Sequence, residues 1–135
     1  MSKRLVVNVD GGARGNPGPA AIAAVVTTPD GEVLEERSEA IGVATNNVAE
    51  YRALLLGIAR ARAQGAREIE LVGDSELIVR QVRGEYRVKD AALRDLHARV
   101  TEALDGFESW SIRHVRREEN EPADTLVNAT LDAAA

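Results

Sequence analysis

The chain has no cysteine among its 135 residues, so it can form no disulfide framework, zinc–thiolate site or thiol nucleophile. Two histidines are too few for a histidine-rich metal site, and any metal must be held by carboxylates. No apolar run approaches the roughly 18 residues of a membrane span. The opening MSKRLVV passes at once into Asn8, Asp10 and glycines, short of the apolar length of a signal peptide. These absences predict a soluble, cytoplasmic protein without membrane association. Positive charge is also lacking overall: the net charge of −5 disfavours tight nonspecific binding to nucleic acid. Neither internal repeats nor low-complexity linkers interrupt the chain. With 44% hydrophobic residues it is long enough to bury a core as one domain spanning residues 1–135.

What the sequence does contain is four acidic residues in unusual places. Asp10 closes the apolar run RLVVNVD and Asp74 closes EIELVGD, both of which read as strands covered on two faces. Glu50 shares a helical face with Leu54 and Ile58, and Asp124 shares one with Val127 and Leu131. Each acid except one also has an ordinary structural role open to it. Asp10 before Gly11 and Gly12 is a reasonable turn acid. Asn47 and Glu50 fit a capping box, which explains the position of Glu50 but not its apolar face. Asp74 fits the N-cap of a helix beginning at Ser75. Asp124 fits none, because Asn120 reads as the N-cap of its helix and Pro122 occupies the first turn. Four carboxylates at one sheet edge would repel one another by up to roughly 4 kcal/mol per pair at about 4 Å and an effective dielectric near 20. A counter-charge is required, and oxygen-only ligands point to Mg²⁺ or Mn²⁺.

Element signals run in the order β-β-β-α-β-α-α-β-α. Two strands around PDG form a hairpin, a long helix runs from about Asn47 to Gln64 and stops at Gly65, and a helix from about Asn120 closes the chain. The predicted fold is α/β: a mixed five-stranded sheet, three strands antiparallel and two reached through helices, with helices on both faces. The loop GGARGNPGP is neither a phosphate-binding P-loop, lacking the Gly-Lys-Ser/Thr ending, nor a dinucleotide fingerprint. It reads as a tight connection, or as backbone allowed close to a ligand with Arg14 and Asn16 offering donors.

The blocks DGGARGNPGPA, TNNVAEYRALLLGI, GDSELIVRQ and HVRREENEPADTLVN, in that order along essentially the whole chain, resemble type 1 ribonuclease H. The resemblance implies a ribonuclease H-like fold and an endonuclease that hydrolyses the RNA strand of RNA/DNA hybrids with two Mg²⁺ ions, or Mn²⁺ in their place, leaving 5′-phosphate and 3′-hydroxyl ends. It carries the catalytic, metal-binding role onto Asp10, Glu50, Asp74 and Asp124. Asp10 is assigned the bridge between the ions, Asp74 the nucleophile side with Asp124 beside it, and Glu50 the leaving-group side near the 2′-hydroxyl. Further 2′-hydroxyl contacts are expected from Gly11, Gly12, Ala13 and Glu76, and contacts to the DNA strand from Asn16, Thr45, Asn46 and Asn47.

Two features depart from the family pattern. The long basic insertion of many members is missing, RGEYRVKDAAL standing in its place, so the chain resembles the subgroup without that protrusion. The remaining positive stretch carries Arg80, Arg83, Arg87 and Lys89, with Arg87 and Lys89 expected to touch the hybrid, or else to form a solvated face paired with Glu85 and Asp90. His114 stands ten residues before Asp124, as a mobile histidine does in many members, but follows SWSIR without a glycine-rich loop. A strand histidine, partly buried, is the other reading, and Arg117 is the alternative group for handling the phosphate or product. Other nucleases of the same fold would also cluster acids, but the DGGARGNPGP and TNNVAEY blocks disfavour them. A non-catalytic hybrid-binding module would be expected to lose one of the four acids. A monomer is expected, and LDAAA is an end from which a linker to another catalytic domain could continue.

Overall fold

The computed structural model describes residues 3–134; Met1, Ser2 and Ala135, the ends of the expected domain, lie outside the described residues. The elements are β1 (Arg4–Ala13), β2 (Gly18–Thr27), β3 (Val33–Ala44), α1 (Asn46–Ala63), β4 (Glu68–Gly73), α2 (Glu76–Val82), α3 (Ala91–Leu104), β5 (Ser109–His114), a short 3-10 helix (Arg117–Asn120) and α4 (Glu121–Ala134). They build one five-stranded sheet in the order β3-β2-β1-β4-β5. The first three strands are antiparallel, and β4 and β5 join in parallel, as the order of element signals predicts.

Strand alternation divides the two faces. On β1 and β2, Leu5, Val7, Val9, Ala20, Ile22, Ala24 and Val26 pack against α1 in the main core. The intervening Ala21 and Ala23 meet Ala123, Val127 and Leu131 of α4 in a second cluster. Small side chains on this second face let α4 lie close to the sheet. The same alternation sends Asp10 to the α4 face and Gly11 to the α1 face.

Gly11 is required by proximity. A Cβ there would lie 2.3 Å from the Ala49 carbonyl oxygen, a backbone atom of the helix carrying Glu50. The sequence allowed a close-approaching backbone in this loop for the sake of a ligand; the structure uses Gly11 for close approach to α1. Gly57 on the other side of that contact would set a Cβ 2.7 Å from Val9 and 2.9 Å from Val7. Helix α1 is therefore pressed onto β1 at two glycines, which holds Glu50 against the strand bearing Asp10.

Several local expectations need correction. β1 does not end at Asp10 but runs on to Ala13, because Gly11, Gly12 and Ala13 continue the antiparallel pairing with β2. What ends near Asp10 is the parallel pairing with β4, whose last partners are Asn8 and Val72. Helix α1 is capped by Thr45, whose side chain accepts from Val48 N at 3.2 Å, so Asn47 and Glu50 form no capping box. Ser75 caps α2, accepting from Ile78 N at 3.4 Å, which leaves Asp74 without that task. Asn120 ends the 3-10 helix with its side chain fully buried and, where a helix cap was expected, hydrogen-bonded to Asn8, Val9 and Asp74. No helix among the described residues is long and apolar enough to cross a membrane.

Candidate active site

Extending the parallel register of β1 and β4 by two residues beyond Asn8 and Val72 brings Asp10 level with Asp74. Glu50, one helical turn into α1, reaches the same edge and accepts a hydrogen bond from Gly11 N at 3.0 Å. One carboxylate oxygen from each of Asp10, Glu50 and Asp74 lies within 4.8 Å of the others. Asp10 and Glu50 are buried and Asp74 half-buried. All three line a cleft of about 380 Å³. Half-buried Asp124 lines it too, from α4, but does not join the group of three within 4.8 Å.

The electrostatics follow from this crowding. Burial pushes the Asp10 carboxyl up from 3.8 to about 7; the charge of Asp74 and, less strongly, that of Asp124 push the same way, while a hydrogen bond with Glu50 and the Arg117 guanidinium pull back. Glu50 is held well above its ordinary 4.5, by burial first and the charge of Asp10 next, against the pull of the Gly11 N–H. Carboxyl groups this reluctant to ionise together, aimed into one cleft with oxygen donors only, suit a hard divalent cation that supplies the missing positive charge.

Most of the other predicted residues fall into three groups, with Glu76 and His114 outside them. Gly12, Ala13, Arg14, Asn46, Asn47 and Arg117 line the same cleft, as does Gly11. Several of their polar groups are already engaged: Ala13 N donates to Asn46 Oδ1 at 2.8 Å, Asn46 N donates to Asn16 Oδ1 at 3.0 Å, and Arg14 bridges to Asp132 of α4 at 2.6 Å. The Gly11 N–H is likewise engaged, by Glu50 Oε1 at 3.0 Å. Asn16 and Thr45 border a neighbouring cavity of about 330 Å³, shared with Asn47.

Arg87 and Lys89 form the third group, with Arg94 and His97 of α3, in a groove of about 570 Å³. Neither makes an ion pair among the described residues; Glu85 is instead taken by Arg80 at 3.2 Å and Arg83 at 3.7 Å. Asp90 caps α3, accepting from Leu93 N at 3.1 Å, so the expected pairing of Arg87 and Lys89 with Glu85 and Asp90 is not made, although both cations are exposed as on a solvated face. Glu76 is exposed and held by Arg80 at 3.1 Å, outside the cleft lining. His114 is the last residue of β5, level with Gly73, and exposed rather than partly buried. It is not among the residues lining the cleft, whereas Arg117 is.

Sequence patterns passed over two participants. Asn128 borders the cleft from α4, and no pattern in the sequence marked it. Asn120, fully buried, donates to Val9 O at 2.8 Å and to Asp74 Oδ2 at 3.2 Å, and accepts from Asn8 Nδ2 at 3.0 Å. Its spacing of four residues before Asp124 was the one available hint, and a helix cap explained that spacing equally well.

Residues 8–130 match the family model described as "Reverse transcriptase-like". The chain is 47% identical over 131 residues to the ribonuclease HI of Halobacterium salinarum, covering 97% of this chain and 66% of that protein. It is 44% identical over 133 residues to a protein of Mycobacterium tuberculosis named as bifunctional, covering 98% of this chain but 36% of the relative. The chain thus spans just under two thirds and about one third of the lengths of these two relatives. Among solved structures it matches LC11-RNase H1 in complex with an RNA/DNA hybrid, at a TM-score of 0.92 and 41% identity over 96% of this chain and 98% of that one. Agreement of sequence and backbone over nearly the whole of both chains places this protein in the type 1 ribonuclease H family.

Proposed function

We propose that the chain is an endonuclease hydrolysing the RNA strand of RNA/DNA hybrids, with two divalent ions held by Asp10, Glu50 and Asp74 and, across the cleft, by Asp124. The observation that carries this reading is the meeting of three carboxylates within 4.8 Å in a cleft, with oxygen donors only. When bound, the ions supply activation of the attacking water and stabilisation of the departing 3′-oxygen, leaving 5′-phosphate and 3′-hydroxyl ends. Mg²⁺ suits the all-oxygen donor set, with Mn²⁺ as a substitute. All four acids come from one chain, so a monomer suffices. Incubation with a labelled RNA/DNA hybrid, a matching RNA duplex and a DNA duplex, each with Mg²⁺, Mn²⁺ or chelator, tests the proposal. Cleavage of the hybrid RNA strand alone, dependent on metal, is the expected result, and uncut hybrid in both metals would refute it.

Within this reading Arg117 handles the phosphate or the product. It lines the cleft and its charge acts on Asp10, whereas His114 sits at the strand end outside the cleft lining. Arg117→Ala is expected to lower kcat more than His114→Ala does. Equal losses, or a larger one at His114, in single-turnover and steady-state assays would reverse the ranking.

Affinity should be modest. Arg87 and Lys89 face a groove without acidic partners, but Arg80 and Arg83 are engaged with Glu76 and Glu85. Each phosphate contact adds about 0.9 to the slope of log K against log salt on B-DNA. Micromolar-class binding with roughly two to four such contacts is expected, the slope falling by about one in Arg87→Ala or Lys89→Ala. Titration of a hybrid at several salt concentrations measures this, and a slope unchanged by either substitution would place the grip elsewhere.

A further inference from the structure

We propose that Asn120 is a positioning residue for the metal-binding carboxylates: its amide nitrogen both aims Asp74 into the cleft and pins the β1 backbone beside Asp10, while its amide oxygen is held by the Asn8 side chain. The inference rests on the functional reading above. A buried amide is ordinarily satisfied by whatever backbone lies nearest. Asn120, at 0% exposure, instead divides its bonds among three separate points of the sheet. Its Nδ2 donates to the carbonyl of Val9, the residue before Asp10, and to Oδ2 of Asp74, the residue after β4, while its Oδ1 accepts from Asn8 of β1. One side chain therefore spans the step between two parallel neighbouring strands at the level where their carboxylates meet. It also stands at the entry to α4, four residues before Asp124.

The chemistry of this position selects an amide. Aspartate has the same shape but no hydrogen to give, so Val9 O and Asp74 would both face an acceptor. Lysine or arginine would donate, yet would cancel the negative charge that a cation needs. Glutamine would set the amide one carbon too far along. A neutral donor orients Asp74 without discharging it, engaging one carboxylate oxygen and leaving the other to the cleft. Supporting hydrogen bonds of this kind on metal ligands commonly change affinity by about 10–100-fold.

The test compares Asn120→Asp, Asn120→Ala and Asn8→Ala with the unmodified protein. Mn²⁺ binding is read directly by electron paramagnetic resonance, and kcat and KM for a hybrid are measured well below each melting temperature. Both Asn120 variants are expected to bind Mn²⁺ about tenfold more weakly or worse and to lose at least about tenfold in kcat, with KM within about threefold. Asn8→Ala removes only the supporting arm and should keep Mn²⁺ affinity within about threefold, even where its melting temperature falls as far. Should Asn120→Asp fail to fold, the Asn120→Ala comparison decides alone. Asn120 variants that match the unmodified protein in Mn²⁺ affinity, or an Asn8→Ala variant that loses as much affinity as they do, would reduce Asn120 to a packing amide. Absence of hybrid cleavage in the unmodified protein would instead defeat the functional reading, while the Mn²⁺ comparison would still decide the role of Asn120.

Discussion

Asp10→Asn is expected to reduce hybrid cleavage on the order of a thousandfold or more while leaving hybrid affinity within about threefold. The substitution removes one charge from the centre of the carboxylate group and almost no surface, since Asp10 is only 5% exposed. Asp74→Asn should behave in the same way, because its oxygen belongs to the same group. Asp124→Asn should cost less: Asp124 shares the cleft but not the close approach. Single-turnover cleavage together with a binding titration in chelator separates the two quantities. Residual activity within about tenfold of the unmodified protein would remove Asp10 and Asp74 from the metal site, and a parallel loss of binding would mean that the substitutions disturb the cleft itself.

The metal-free protein should lose stability as pH rises from about 5 to 8, and Mg²⁺ should restore it at the upper end. A carboxyl whose folded pKa lies above its unfolded value favours folding fully below the unfolded pKa, and that contribution is lost as pH climbs through the folded one. For Asp10 the window runs from 3.8 to about 7, and Glu50, raised by the same burial, adds with the same sign. Glu35 works in the opposite sense, since hydrogen bonds from Arg60 and Gln64 hold it below 4.5, so its contribution is lost only in more acid solution. A carboxyl moved this far corresponds to roughly 4 kcal/mol at most, and about 1 kcal/mol shifts the melting temperature of a domain this size by about 3–4 °C. Ligand at a hundred times its Kd returns about 2.7 kcal/mol. Thermal melts at pH 5 and 8, with chelator and with millimolar Mg²⁺, should therefore differ by several degrees at pH 8 and little at pH 5. Asp10→Asn should flatten the pH dependence and raise the metal-free melting temperature at pH 8. A melting curve insensitive to both pH and Mg²⁺ would contradict the coupling of these carboxyls.

The four acids were legible in the sequence because each sits on a local pattern. Asp10 and Asp74 each close an apolar run, and Glu50 falls in register with Leu54 and Ile58 on one helix. The order of strands and helices was legible for the same reason, and with it the parallel neighbours whose ends carry Asp10 and Asp74. Periodicity is a property of a few consecutive residues, so it survives without the fold.

Other features depended on partners far along the chain. Thr45 rather than Asn47 caps α1 because of where the chain enters the helix, while Asn46 is drawn away to Ala13 and Asn16. Gly11 answers to the backbone of Ala49 in α1. Arg87 and Lys89 share a groove with Arg94 and His97 only because α3 packs beside the short helix preceding them. Asn120 meets Asn8 across 112 positions of sequence, and no spacing rule reaches that distance. Which acids turn toward the core, and which strands carry them, could be read from the residues alone, since apolar runs and helical spacing are written locally. That three of the four come within 4.8 Å, that Asp124 stands apart, and that one buried amide ties their strands together became visible in the folded chain, because those distances are set by how helices and sheet pack.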